Sequence, residues 1–214
     1  MVLSLFYSRP FLLIVSFAFT SHYLYKFYQK KEKKTRKEIH DVIMFEYMEG
    51  KFRQSKHSRC KITHSMDKLL GYLDGAKKTL DICMYVLTNM DVANAVMKLH
   101  FRGVKVRVLI DADMAYTQGS MVRRLEKQGI QVRWMKSTRL MHHKFYLIDA
   151  STDDEQVTPV VMTGSLNWTN QALYGNWEDV IVTSQEVIVD QYKARFEKLW
   201  KEFKPVVAPD LKFY

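Results

Sequence analysis

The chain is predicted to be an α/β protein, with a mixed β-sheet flanked by helices on both faces and a separate apolar helix at the N-terminus. Two observations carry the sheet. β-Rich runs alternate with helical patterns from Thr79 onward, the order that βαβ units produce. Apolar content is 47% and aromatic content 13% over 214 residues, enough for one sizeable core. The third observation concerns the N-terminus, where residues 10–25, PFLLIVSFAFTSHYLY, carry no formal charge.

That 16-residue run is shorter than the roughly 17–25 residues of a usual membrane-spanning helix. Arg9 and Lys26 can snorkel, and VLSLFYS before Arg9 adds apolar length. KFYQKKEKKTRKE follows at once with seven Lys/Arg, which by the positive-inside rule leaves the bulk of the protein in the cytosol. A secretory signal carries its charge before the apolar core, and here the charge comes after it. The expected organisation is therefore a transmembrane anchor over 1–28, a basic linker over 29–40 and a globular domain over 41–214. A short span suits a thin membrane.

Net charge is +10, unevenly spread. Residues 1–40 hold eight Lys/Arg against two Glu, a balance of +6, and the remainder holds 25 against 21, a balance of +4. Most of the excess belongs to the tail, so overall basicity is weak evidence for a nucleic-acid partner. Two cysteines, Cys60 and Cys83, make no disulfide framework and fit a reducing compartment.

TLDICMYVL (Thr79–Leu87) reads as a strand, and TNMD after it offers helix N-caps. DVANAVMKLHFRG places Val92, Val96 and Leu99 on one face and ends at Gly103, a C-capped helix. VKVRVLID (Val104–Asp111) is the next strand, GSMVRRLEKQG a short helix, and IQVRWM a third strand. PVVMTG and EDVIVTS follow as strands. The final helix, Glu186 to Phe203, carries Ile188, Tyr192, Phe196, Leu199, Trp200 and Phe203 on one stripe.

RLMHHKFYLIDA (Arg139–Ala150) puts two histidines and a lysine at the start of an otherwise apolar strand. Alternation gives His142 and Lys144 one face and His143 and Phe145 the other, so His143 reads as structural. An unpaired lysine in a buried strand is costly, so either this strand edge opens onto a site that uses positive charge or the pattern is accidental. His142, Lys144 and Asp149 form the pattern H-x-K-x4-D, with GSLN (Gly164–Asn167) and NWED, containing Glu178, downstream.

This constellation resembles the phospholipase D superfamily over residues 66–203. The anchor, RGVKVRVLIDAD, LMHHK and TGSLNWT resemble, more narrowly, its single-motif Zucchini branch, the mitochondrial cardiolipin hydrolases. The resemblance implies a phospholipase D-like catalytic domain over 41–214, facing the cytosol from the mitochondrial outer membrane. It also implies a homodimer, an endoribonuclease role on single-stranded RNA in germline piRNA biogenesis, and a lipid activity on cardiolipin. The expected catalytic set is His142, Lys144, Asp149, Asn167 and Glu178, supported by Gly164 and Ser165. Asp149 and Ser165 read as structural supporters more than reacting groups.

The residues make chemical sense beside the resemblance. Neutral His142 attacks phosphorus to give a phosphohistidine. A second, protonated His donates to the leaving oxygen and then activates water. Lys144 and Asn167 hold the phosphate oxygens, and Glu178 accepts from the far ring nitrogen of His142, fixing its tautomer. No metal or other cofactor is required for catalysis. One chain has one such His, and a two-fold dimer supplies the second.

Between Lys127 and Ile148 stand five Lys/Arg and no acidic residue. Of these, Arg133, Lys136 and Arg139 form a basic lip suited to a polyanion backbone or to an anionic head group. Trp134 and Trp168 either stack bases or belong to the core. Fourteen residues separate Asp149 from Gly164, where many family members have about six; a longer hairpin with an acidic tip, Asp153, Asp154 and Glu155, absorbs the excess. That hairpin is expected to alter a surface near the site.

The resemblance also implies a small structural zinc element, here within 57–83. Cys60, His64 and Cys83 match three ligand positions, Ser58 replaces the first Cys, and His57 is the substitute donor. The alternative is a buried Cys83 with surface histidines. NWT at Asn167–Thr169 matches a glycosylation sequon but falls inside the motif of a cytosolic domain. The alternatives to an endoribonuclease are a phospholipase D-type cardiolipin hydrolase making phosphatidic acid, and a non-catalytic mitochondrial scaffold.

Overall fold

The computed structural model describes residues 9–31, 38–47 and 52–206. The chain divides into two compact units, Met1–Lys37 and Glu38–Tyr214. In the first, helix α1 runs from Arg9 to Lys31. It is 23 residues long, yet among the described residues no helix is long and apolar enough to cross a membrane. The described residues do not support the expected transmembrane anchor, and VLSLFYS, which adds to its apolar length, lies outside them. Ser16, Thr20, Ser21 and His22 dilute the apolar run, and Lys26 ends it before a spanning length is reached. Residues 1–8 and half of the basic linker, 32–37, lie outside the described residues.

The second unit runs β1 (His40–Phe45), α2 (His64–Asp74), β2 (Thr79–Met84), α3 (Met90–Phe101), β3 (Lys105–Ile110), α4 (Ala112–Ala115), α5 (Val122–Lys127) and β4 (Gln131–Trp134). It continues through β5 (Lys144–Ile148), β6 (Val160–Gly164), α6 (Asn170–Tyr174), β7 (Glu178–Thr183), α7 (Glu186–Glu202) and β8 (Lys204–Pro205). The strands form one mixed sheet in the order β1-β7-β6-β5-β2-β3-β4-β8. β2, β3 and β4 are parallel, joined by α3 and α5 as crossovers, and the remaining pairings are antiparallel. The elements predicted from Thr79 onward occur in the predicted order, with the short α4, α6 and β8 as additions.

The helix termini follow from local chemistry. Asn89 caps α3 by accepting from the Val92 N–H at 2.9 Å, and Gly103 takes φ 89° just beyond its end, a conformation that favours glycine. Thr63 caps α2 from its side chain. β1 and α2 are additions to the sequence reading: HDVIMF mixes charge with apolar residues too closely to announce a strand, and α2 lies in the stretch read as a zinc element.

Alternation along the strands builds two cores. Ile82, Met84, Val108, Ile110, Tyr146, Met162 and Val180 face α2 and α3, meeting Met66, Leu69, Leu73, Val92 and Val96. Cys83, Leu109, Phe145, Leu147 and Val161 face α7, meeting Val189, Phe196 and Trp200. On α7 the predicted stripe holds at Phe196, Trp200 and Phe203, but Val189 is buried in place of Ile188, which stays 40% exposed. Under α7 lies an ionic node. The buried Arg107 on β3 donates from Nε and Nη2 to Asp81 of β2 at 2.6 and 2.8 Å, and from Nη2 to Glu197 of α7 at 2.6 Å. Its guanidinium lies 4.8 Å from the Phe196 ring centroid and 5.2 Å from that of Trp200.

Candidate active site

β5 places the motif. His142 precedes the strand and Lys144 opens it, on the face shared with Tyr146, as alternation requires. Lys144 Nζ stands 3.2 Å from His142 Nε2 and 3.1 Å from the His142 carbonyl, to which it donates. With Lys144 protonated, Nε2 is the accepting nitrogen and the ring proton sits on Nδ1. Desolvation lowers the Lys144 pKa from its ordinary value, and the charge of Glu178 opposes that shift. His142 is exposed, so its lone-pair nitrogen is open to a substrate phosphorus. His143 turns to the other face, edge-on to Phe145 at 5.6 Å. Desolvation, then the nearby positive charges of Arg195 and Lys144, lowers its pKa.

Gly164 and Ser165 bring β6 against β7. A Cβ on Gly164 would lie 1.9 Å from the Asp179 carbonyl oxygen, so only glycine permits this approach of the two backbones. Ser165 N–H donates to that carbonyl at 3.1 Å, its hydroxyl accepts from the Asp179 N–H at 3.1 Å, and the same hydroxyl donates to Glu178. Asn176 donates to the other Glu178 oxygen at 2.9 Å. The expected bond from His142 to Glu178 is therefore replaced: Glu178 is held by Ser165 and Asn176, and acts on Lys144 through its charge. Asn167 follows on the same loop, half-buried, with an Oδ1 that has no hydrogen-bond partner.

Asp149 does not join this set. The five residues of β5, at about 3.3 Å each, stand between it and His142. Its buried carboxylate accepts from the backbone N–H groups of Lys77, Lys78 and Thr79 at 2.6–3.1 Å, while its φ of 53° turns the chain out of the strand. It ties β5 to the start of β2 at the pole remote from His142. The long 150–159 connection lies at that pole too, since Ile148 pairs with Val160, and Asp154 meets Lys78 at 3.0 Å. Its expected influence on the site is corrected accordingly.

Two more expectations change. Arg133 is not free to meet a phosphate: it donates to the Trp200 carbonyl and lies 4.3 Å from the Trp200 ring centroid. Trp168 is fully buried against Tyr146, and Trp134 packs edge-on to Tyr116, so both belong to the core. Lys136 and Arg139 are exposed, as the basic lip requires. The zinc donors are not gathered. Cys83 is buried in the α7-side core, its Sγ 3.4 Å from Met141 Sδ, while Cys60 and His64 are exposed and His57 lies 3.7 Å from Asp74. Among the described residues no group of three or more His, Cys, Asp or Glu is placed to hold a metal, so these residues do not fit a zinc ion. Burial also raises the Cys83 pKa, which disfavours the thiolate a metal needs.

The site residues that sequence reasoning missed are Tyr85 and Asn176. Asn176 stands two residues before Glu178, and that spacing is a usable signal. Trp177, 76% exposed, lies between them and faces Tyr47 at 6.5 Å.

Residues 69–200 match the family model described as cardiolipin synthase, PLD-like domain. The chain belongs to the phospholipase D-like family of phosphodiesterases. Several of its curated relatives carry the name mitochondrial cardiolipin hydrolase. That of Xenopus laevis is 36% identical over 177 residues, covering 79% of this chain and 80% of the relative. That of Chlamydomonas reinhardtii is 40% identical over 152 residues, covering 70% and 65%. The human one is 38% identical, covering 68% and 56%, so the matched region spans little more than half of it. In fold the chain is similar to Nuc from Salmonella typhimurium, described as a phospholipase D family member, with a TM-score of 0.63 at 20% identity over 79% of this chain and all of that one.

Proposed function

We propose that this chain hydrolyses phosphodiesters through a phosphohistidine on His142, in a site completed by a second copy of the chain. The carrying observation is the exposed His142 ring with its accepting nitrogen beside Lys144 Nζ at 3.2 Å. Nε2 attacks phosphorus, the P–O bond to the leaving alkoxide breaks, and the partner's imidazolium gives that oxygen its proton. The same partner ring then takes a proton from water, whose oxygen displaces His142 from phosphorus. Lys144 and Asn167 hold the non-bridging oxygens, and Glu178 keeps Lys144 charged. Neither step uses a metal. This reading sets aside the scaffold alternative.

A second copy is supported by the sheet itself. α7 covers β5 and β6, leaving Val42, Met44 and Ile181 of β1 and β7 exposed at 44, 59 and 47% on the same face. This apolar strip ends at Asp179, whose backbone N–H donates to Ser165, and a two-fold copy of the chain is the partner we assign to it.

Cardiolipin is the substrate favoured by the relatives' names and by Met135 and Leu140, 39 and 60% exposed just before His142. Hydrolysis of one of its diesters leaves phosphatidic acid. Exposed Lys136 and Arg139 favour the second reading, an endoribonuclease acting on single-stranded RNA in piRNA biogenesis. Both readings place the protein at a mitochondrial surface, with the exposed Leu, Phe and Tyr side chains of α1 resting in the membrane interface. The test is to incubate the full-length protein in EDTA with cardiolipin vesicles and, separately, with single-stranded RNA. Phosphatidic acid release alone selects the lipid reading, RNA cleavage alone the nuclease, and inactivity on both removes the proposed reaction.

A further inference from the structure

Tyr85 lies just past the end of β2, half-buried, and the motif gives it no role. Its ring stands edge-on to the His142 imidazole, with centroids 4.6 Å apart and planes at 62°. The same ring lies under Lys144, whose Nζ is 5.2 Å from the centroid. β2 pairs antiparallel with β5, Met84 opposite Lys144, so the backbone ladder delivers Tyr85 to this position.

We infer that Tyr85 is a positioning residue: its ring, and not its hydroxyl, fixes the His142 imidazole and the Lys144 ammonium in their reacting arrangement. The inference rests on the phosphohistidine reading for its consequence in turnover, but its geometric content stands apart from it.

The physical case has two parts. His142 is exposed, and its contacts are with Lys144 and the Tyr85 ring. A nucleophilic ring on the surface, held by a single hydrogen bond, samples several rotamers, and only one aims Nε2 at a phosphorus held by Lys144. An edge-on aromatic neighbour restricts that sampling. Lys144 for its part is partly desolvated beside a histidine, which favours its neutral form. The face of an aromatic ring attracts an ammonium and opposes that loss. One side chain thus supports both partners of the pair, and phenylalanine would serve as well as tyrosine.

The test compares Tyr85→Phe with Tyr85→Leu in the full-length protein, using a small chromogenic phosphodiester so that RNA or lipid contacts do not enter. Tyr85→Phe is expected within about twofold of wild type, since the ring face is retained. Tyr85→Leu is expected to lower kcat by about tenfold, the scale of one lost cation–π contact. The alkaline limb of its pH profile should also move to lower pH, because Lys144 then loses its proton more readily. Histidine-ring NMR on the same proteins reads the geometry without turnover. His142 ring resonances should match wild type in Tyr85→Phe and shift in Tyr85→Leu. Unchanged kcat and pH profile in Tyr85→Leu overturn the inference, as does Tyr85→Phe failing as badly as Tyr85→Leu. If wild type itself hydrolyses no diester, the phosphohistidine reading falls, and the NMR comparison still decides whether the ring positions His142.

Discussion

Replacing His142 with Asn is expected to remove turnover by at least about a thousandfold, the scale seen when a nucleophile is deleted. The side chain is exposed, so little packing is lost and the urea midpoint should stay within the small range of surface substitutions. Asn keeps a polar group near Lys144 but has no ring nitrogen able to form and break a bond to phosphorus. A steady-state assay beside an equilibrium unfolding curve checks both halves. Substantial residual turnover would remove His142 as nucleophile, and a large drop in midpoint would make the loss a matter of folding.

The second large effect is on stability, at a residue the motif does not include. Arg107→Met keeps apolar bulk against Phe196 and Trp200 but strands the Asp81 carboxylate, which is 1% exposed, with Ser151 as its remaining side-chain partner. Breaking a buried pair from one side costs about 3–5 kcal/mol, against a total stability of roughly 5–15 kcal/mol for a typical domain. The urea midpoint should fall steeply. Glu197→Gln is expected to cost far less, because Glu197 is half-exposed and can rehydrate. Removing Asp81 as well, in Arg107→Met/Asp81→Asn, should restore part of the loss, since no buried charge then remains unpaired.

What could be read from the residues and what could not divides along a physical line. Each strand from β2 to β7 announced itself, because a sheet covered on both faces needs near-continuous apolar runs such as TLDICM and KFYLI. The shared face of His142 and Lys144 was legible because alternation is a local rule. The ends of strands are a different matter. H-x-K-x4-D shows Asp149 close to His142 in sequence, yet a strand holds its two ends apart, and only the pairing of β5 with β2 shows that Asp149 caps the Lys77–Thr79 backbone. Arg133 and Lys136 have the same charge in the sequence. One is held by Trp200 of α7 and the other faces solvent, a difference made by helix packing more than sixty residues downstream. Tyr85 was invisible as a site residue for the same reason: its partner lies on a neighbouring strand.

The composite site makes one measurement decisive. Wild-type and His142→Asn subunits, co-expressed with two tags in equal amounts, should pair at random. Where one site is shared by two histidines, about one quarter of the dimers are wild type in both subunits, by counting over a two-fold pair. Activity per total protein should then fall to about a quarter of the wild-type value, with or without EDTA, and the purified mixed dimer should be inactive. Activity near one half, with an active mixed dimer, would show that each chain works alone and would contradict the two-histidine site.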